Sequence, residues 1–236
     1  MSYFVDLHCH TSASFDGLAS PESVVKAAAS RGLTHLSITD HDRIDGALRA
    51  RAAAPEGLTI IVGEEVKTTD GDLIALFLER AVAPGRSARE TIAEVREQGG
   101  MVGIPHPFDR FRGSKVRDER LEAIGQLVDW VETHNARVVG GNGNERAVAF
   151  AKELGLPGVA VSDAHSTLEV GVAYTVVEVD PGSPEGMRAA LTNVGVVPGR
   201  ASYIVRTLTP LSKLVNRARG NRRIVPPPAG SAGPAA

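Results

Sequence analysis

Short apolar, β-branched runs alternate with alanine-rich stretches of helical period along most of the chain. Residues 3–7, 36–39, 58–62, 73–78, 101–104, 128–133 and 159–162 read as strands, followed by a late strand at 174–179. Between them the pattern predicts helices. The first opens at Ser20-Pro21-Glu22, with Ser20 as N-cap and Pro21 in the first turn, and stops at Gly32. Others follow at 44–53, 87–98, near 119–126, at 145–154 and at 184–191. Gly99-Gly100 and Pro55-Glu56-Gly57 are the breakers behind two of them.

Strands regularly separated by helices argue for an α/β architecture with mostly parallel strands. Seven or eight such units fit a (β/α) barrel, and a doubly wound open sheet is the competing arrangement. No internal repeat and no domain boundary stand out before residue 200.

Composition narrows the class. The 236 residues are 42% apolar and 23% charged, which excludes a mainly disordered chain. The single cysteine, Cys9, excludes an internal disulfide and a cysteine-built zinc finger. The start MSYFVDLHCH lacks the pattern of a secretory leader, and no apolar run reaches membrane-spanning length. A reduced, cytoplasmic setting is the expectation.

Charge divides the chain in two. Residues 1–199 hold 19 of the 26 Lys and Arg and all 28 Asp and Glu, a formal −9. Residues 200–236 carry seven positive charges and no acidic ones. Within this tail, 209–219 reads as a short basic amphipathic helix, expected to lie solvated on the body. The last ~13 residues, IVPPPAGSAGPAA, read as disordered.

Five of the seven histidines directly follow predicted strands: His8 and His10 in DLHCH, His41 in SITDHD, His106 in VGIPHP and His165 in VSDAH. Acidic residues share those positions: Asp40 and Asp42 around His41, Glu64 and Glu65, Glu132, and Asp163. Parallel strands end on one face, so these groups converge there. His8 and His10 are two apart and point the same way, whereas Glu64 and Glu65 are neighbours and cannot both face the site. Imidazoles and carboxylates on one rim suit zinc, manganese or iron, and there are too many for one four-coordinate ion. His35 begins a strand and receives no role; His134 leans the same way.

The stretches DLHCHTSASFDG, LSITDHD, GEEVKT, IPHP and SDAHS together resemble the PHP (polymerase and histidinol phosphatase) domain, over roughly residues 3–179. That resemblance implies a distorted (β/α)7 TIM-like barrel with its metal site at the C-terminal ends of the strands. It makes 1–199 the phosphoesterase domain and 200–236 an added tail. It implies that His8, His10, Glu65 and Asp163 hold a first metal, and that Glu65 and His106 hold a second. Asp16, His41 and His165 would hold a third. Relatives commonly carry histidine where this chain has Asp72, a change in charge and softness that leaves two or three ions as the expected count. Asp40 is expected to orient a ligand or accept a proton, and Glu132 to support the ligands from behind.

Metal ions in such a site acidify a bound water, so hydrolysis of a phosphate ester needs no phosphoenzyme. An anionic substrate also needs protein cations in an acidic pocket. Arg110 and Arg112, just beyond His106, are the candidate phosphate clamp, with Lys67 behind them. The expected substrate is a small phosphorylated molecule, as monoester or nucleotide-type diester. The alternatives are a nuclease acting on nucleic-acid ends, and a non-catalytic metal-binding regulatory protein. An acidic body and 4% aromatic residues disfavour nucleic acid.

Overall fold

The computed structural model describes residues 1–138, 140–218, 220 and 223. In chain order the elements are β1 (Tyr3–Asp6), α1 (Pro21–Ser30), β2 (His35–Ile38), α2 (Asp45–Ala52), β3 (Thr59–Lys67), β4 (Asp72–Leu76) and α3 (Ala88–Glu97). There follow β5 (Met101–Ile104), α4 (Leu121–Gly125), β6 (Trp130–Asn135), α5 (Gly143–Leu154) and β7 (Gly158–Val161). The chain continues with β8 (Tyr174–Val177), α6 (Pro184–Ala190), β9 (Gly195–Val197) and α7 (Tyr203–Ala218). Ser20 caps α1 by accepting from the Ser23 amide, and Ser87 with Glu90 forms a capping box on α3.

The strands form one sheet in the order β7-β6-β5-β4-β3-β2-β1-β8-β9, curled into a nearly closed barrel. β7 and β1 do not form a ladder. Their seam is closed by a parallel bridge between Cys9 and Ala164 and by the Ser162 amide, which donates to Asp6 Oδ1 at 3.0 Å. Asp6 is fully buried there, and burial pushes its carboxyl up to about 6.

The pairings β1–β2, β2–β3, β5–β6 and β6–β7 are parallel; β3–β4, β4–β5, β1–β8 and β8–β9 are antiparallel. The expectation of mostly parallel strands therefore fails for half the pairings. Only residues 68–71 separate β3 from β4, far too few for a crossover, so β4 must turn back. β3 is also longer than predicted, which places Glu64 and Glu65 inside a strand rather than at its end.

Period-two alternation along β3 sorts its side chains between two cores. Ile61 lies in the barrel interior with Val5, Ile74, Leu76, Met101 and Trp130. Ile60, Val62 and Val66 face outward beneath the helices, alongside Val24, Leu36 and Ile92. Trp130 fills the barrel because Gly103, beside it in β5, has no side chain; a Cβ there would meet the indole at 2.1 Å.

α7 begins earlier than the predicted basic helix and contains Pro210. It lies against the loop after β1: the Asn216 side-chain amide donates to the Ser14 and Gly17 carbonyls, at 3.2 and 2.8 Å. The last ~13 residues, expected to be disordered, and Arg219 lie outside the described residues. No described helix is long and apolar enough to cross a membrane.

Candidate metal centre

The C-terminal ends of the strands and the loops behind them deliver the predicted ligands to one place. His8 and His10 come from the end of β1, His41 from that of β2, Glu65 from within β3 and His106 from behind β5. Asp163 and His165 follow β7, and Asp16 lies in the loop that α7 covers. All eight are buried. Among the described residues, three of the four non-glycine positions with positive φ are here, Asp42 (56°), His106 (29°) and Asp163 (52°), so the backbone adopts sparsely populated conformations around this site.

The donor atoms of His8, His10, Glu65 and Asp163 surround one point. His8 Nε2 and His10 Nε2 are 2.9 Å apart. They lie 3.4 and 3.3 Å from Glu65 Oε2, and each 3.6 Å from Asp163 Oδ1. A tetrahedral ion with bonds of 2.0–2.1 Å has ligand–ligand edges of about 3.3 Å, which these spacings match. A second group shares Asp16 Oδ2, which is 3.4 Å from His41 Nε2 and 3.3 Å from His165 Nε2. His106 Nε2 stands 3.4 Å from Glu65 Oε1, and Asp72 groups with His41 and Glu65. Glu65 thus lies against four of the histidines, His8, His10, His41 and His106.

Hydrogen bonds behind the ligands fix their tautomers. His8 Nδ1 is 2.6 Å from Glu132 Oε1, and a carboxylate there makes it the protonated nitrogen. His165 Nδ1 lies 2.9 Å from the Asp163 carbonyl, which only accepts, so its Nε2 lone pair is directed at the site. Both Glu65 oxygens, Asp163 Oδ1 and Asp72 Oδ2 are buried without a hydrogen-bond partner among the described residues. Orphaned carboxylate oxygens buried this deeply among imidazoles are expensive unless a cation joins them, so the residues fit a multi-metal centre.

The titrations of these groups are strongly displaced. Burial lowers His10, helped by the nearby His165, to about 3. Burial would also lower His41, but the Glu65 and Asp16 carboxylates outweigh it and raise His41 to about 9. For Asp163, burial is overcome by Arg112 and His8, which hold the carboxyl well below the usual range.

Glu132 supports two ligands at once, since its Oε2 also accepts from the His106 amide at 2.9 Å and from Asn135 Nδ2 at 2.9 Å. Asp40 does not face the ligand atoms. It accepts from the Thr11 amide at 2.6 Å and the Thr11 hydroxyl at 2.7 Å, holding the turn after His10. Arg112 enters the centre: it donates to Asp163 Oδ2 and places Nη1 3.1 Å from His106 Nε2. Arg110 is exposed against Gly141, and the two arginines are not brought together. His134 bonds the Gly199 carbonyl at 2.8 Å, and His35 pairs with Asp180 at 3.1 Å, both away from the ligands. Glu64 points outward beneath the helices, as alternation requires, and accepts from the Val82 amide at 2.9 Å.

A cavity of about 320 Å³ opens onto Asp16, His41 and His165. Four cations line it: Arg112, Arg137, Lys213 and Arg223. The last two come from the basic tail, which sequence patterning left on the surface. Arg137, paired with Glu169 at 3.1 Å, lacked any motif to mark it.

Two family models match in tandem, the PHP domain over residues 6–104 and the PHP-associated region over 141–193. An uncharacterised protein of Methanocaldococcus jannaschii is 32% identical over 133 residues, covering 50% of this chain and 78% of the relative. The chain belongs to the PHP family. A 5'-3' exoribonuclease of Haemophilus influenzae is 45% identical over 117 residues, 44% of this chain and 42% of that enzyme. Among solved structures, a two-domain protein of Bacteroides vulgatus described as containing a predicted PHP-like metal-dependent phosphoesterase superposes with a TM-score of 0.70. It is 22% identical, and the match covers 84% of this chain and 65% of that one. At that identity the likeness carries the fold.

Proposed function

We propose that this chain, a metal-dependent phosphoesterase of the PHP family, hydrolyses the phosphate ester of a small molecule by attack of water. The observation that carries the reading is the four-donor cage of His8, His10, Glu65 and Asp163, opening beside a cavity lined by cations. Divalent ions, two or three of zinc, manganese or iron type, would be held by that cage and by Asp16, His41, His165, Glu65 and His106. When bound they supply an acidified water and neutralise charge on the phosphate oxygens.

The protein's own residues do the rest. Glu132 and the Asp163 carbonyl hold His8 and His165 in the ligating tautomers. Arg112 is a permanent cation; burial works against its charge, but Asp163 and Glu65 hold its pKa above the ordinary arginine value. It lines the cavity, where it would meet the non-bridging oxygens of a phosphoryl group. Two side chains that could act as nucleophiles are otherwise placed: Cys9 packs in the outer core, and the Ser14 hydroxyl donates to Asp16 at 2.8 Å.

The test is a phosphate-release screen over sugar, nucleotide, amino-alcohol and aryl phosphates with added manganese, run beside elemental analysis. Stoichiometric metal without turnover of any ester would leave a metal-binding protein instead. The exoribonuclease relative favours a second reading, in which the ester belongs to a nucleic-acid end. An oligonucleotide arm in the same screen separates the two.

A further inference from the structure

We propose that the C-terminal segment completes the substrate site, with Lys213 and Arg223 binding the anionic group of the substrate at the cavity beside the metal ligands. This rests on the phosphoesterase reading above and adds where the substrate's charge is met.

Four observations carry it. First, Lys213 and Arg223 line the same cavity as Asp16, His41 and His165. Second, α7 is fastened there rather than lying loosely on the body. Asn216 is buried and bonds two carbonyls of the loop that carries Asp16, and Ser212 is buried beside it. Third, Phe15 connects the two sides: its ring packs on His41 at 4.9 Å between centroids, and Lys213 Nζ lies 5.4 Å from the same ring. Among the described residues no carboxylate pairs with Lys213, so its charge is available to a ligand. Fourth, Arg223 is pre-oriented. Its Nε bonds Asp42 at 3.2 Å and its Nη2 bonds Asp72 at 2.7 Å. A guanidinium has five N–H donors, so others remain to meet an anion.

The charge distribution explains why such a device is needed. A body of −9 with a rim of buried carboxylates repels a phosphate ester, even with some of that charge offset by bound ions. The +7 tail brings two of its cations to the mouth of that rim.

The test uses the full chain, metal-loaded, as wild type and as Lys213→Ala, Arg223→Gln and Arg223→Lys. Steady-state kinetics on an aryl phosphate, titration with inorganic phosphate by calorimetry, metal content and thermal melting are measured for each. Loss of one charge-assisted contact should raise KM and the phosphate Kd about tenfold in Lys213→Ala and Arg223→Gln. kcat should stay within about threefold, metal content should not change, and Arg223→Lys should recover part of the phosphate affinity. KM and phosphate affinity within twofold of wild type in both loss variants would overturn the proposal. So would an Arg223→Gln protein that gains a metal ion with unchanged phosphate affinity, since Arg223 would then be only a counter-cation for Asp72. If no ester is turned over at all, the phosphoesterase reading fails, and the phosphate titration still decides the role of these two residues.

Discussion

His8 Nδ1 and Glu132 Oε1 stand 2.6 Å apart in a fully buried pair, and the same carboxylate's other oxygen holds the His106 amide. One side chain therefore sets the orientation of ligands from two strands. Glu132→Gln would turn one acceptor into a donor facing an N–H. Metal titration should show affinity reduced by about 10–100-fold, with the fold retained. Unchanged affinity would mean that Glu132 does not orient the ligands.

Removing a cage ligand should cost more. His8→Ala and Asp163→Ala are each expected to lose at least about 100-fold in activity, beyond the loss of a supporting residue. Circular dichroism would show the barrel intact. Asp163→Ala has a second consequence, because it removes the main partner of Arg112. Chelation of the wild type should abolish turnover, and manganese should restore it. Wild-type rates in either variant would disprove the ligand set.

Glu64 gives a pH signature outside the metal centre. Burial raises its carboxyl from the ordinary 4.5 to about 8, so between those values the native state holds a proton that the unfolded chain has lost. Its contribution to stability is greatest below pH 4.5 and declines as pH rises through 8. Glu64→Gln does not titrate. The melting temperature of that variant minus that of wild type should therefore grow steadily from pH 5 to pH 8 in the metal-loaded proteins, where ligand titrations are common to both. A difference independent of pH would show that Glu64 is ionised in the fold.

Gly103→Ala tests the barrel interior. Its Cβ would overlap the Trp130 ring, which is itself fully buried. Overpacking of this kind costs about 1–3 kcal/mol, read as a lower midpoint in denaturant unfolding with unchanged slope.

Much of this was legible in the residues themselves. The histidines sit where apolar runs stop, and that rule placed His8, His10, His41, His106 and His165 on one rim. Alternation along β3 allowed only one of Glu64 and Glu65 to face the site, and the resemblance to the PHP domain selected Glu65. The direction of β4 was less accessible, because its apolar run looks the same in either orientation and only the four-residue gap 68–71 betrays it. The positions of Lys213, Arg223 and Arg137 at the cavity were invisible. Their placement depends on long-range packing, notably Asn216 against carbonyls about two hundred positions away. A run of tail arginines reads as solvated until that packing is known. Arg110 and Arg112 looked equivalent in PHPFDRFR, yet only Arg112 reaches Asp163, because residues two apart in that turn leave in different directions.

The bridge between Cys9 and Ala164 joins the beginning of the barrel to its last parallel strand, and His8, His10, Asp163 and His165 flank it on both sides. The first metal cage is thus divided between segments some 150 residues apart, and neither segment has a complete ligand set. Ion binding adds its free energy only to chains in which the barrel has already closed. Metal occupancy of this cage would therefore report completed folding: a chain cut before β7 would hold His8, His10 and Glu65 and lack Asp163.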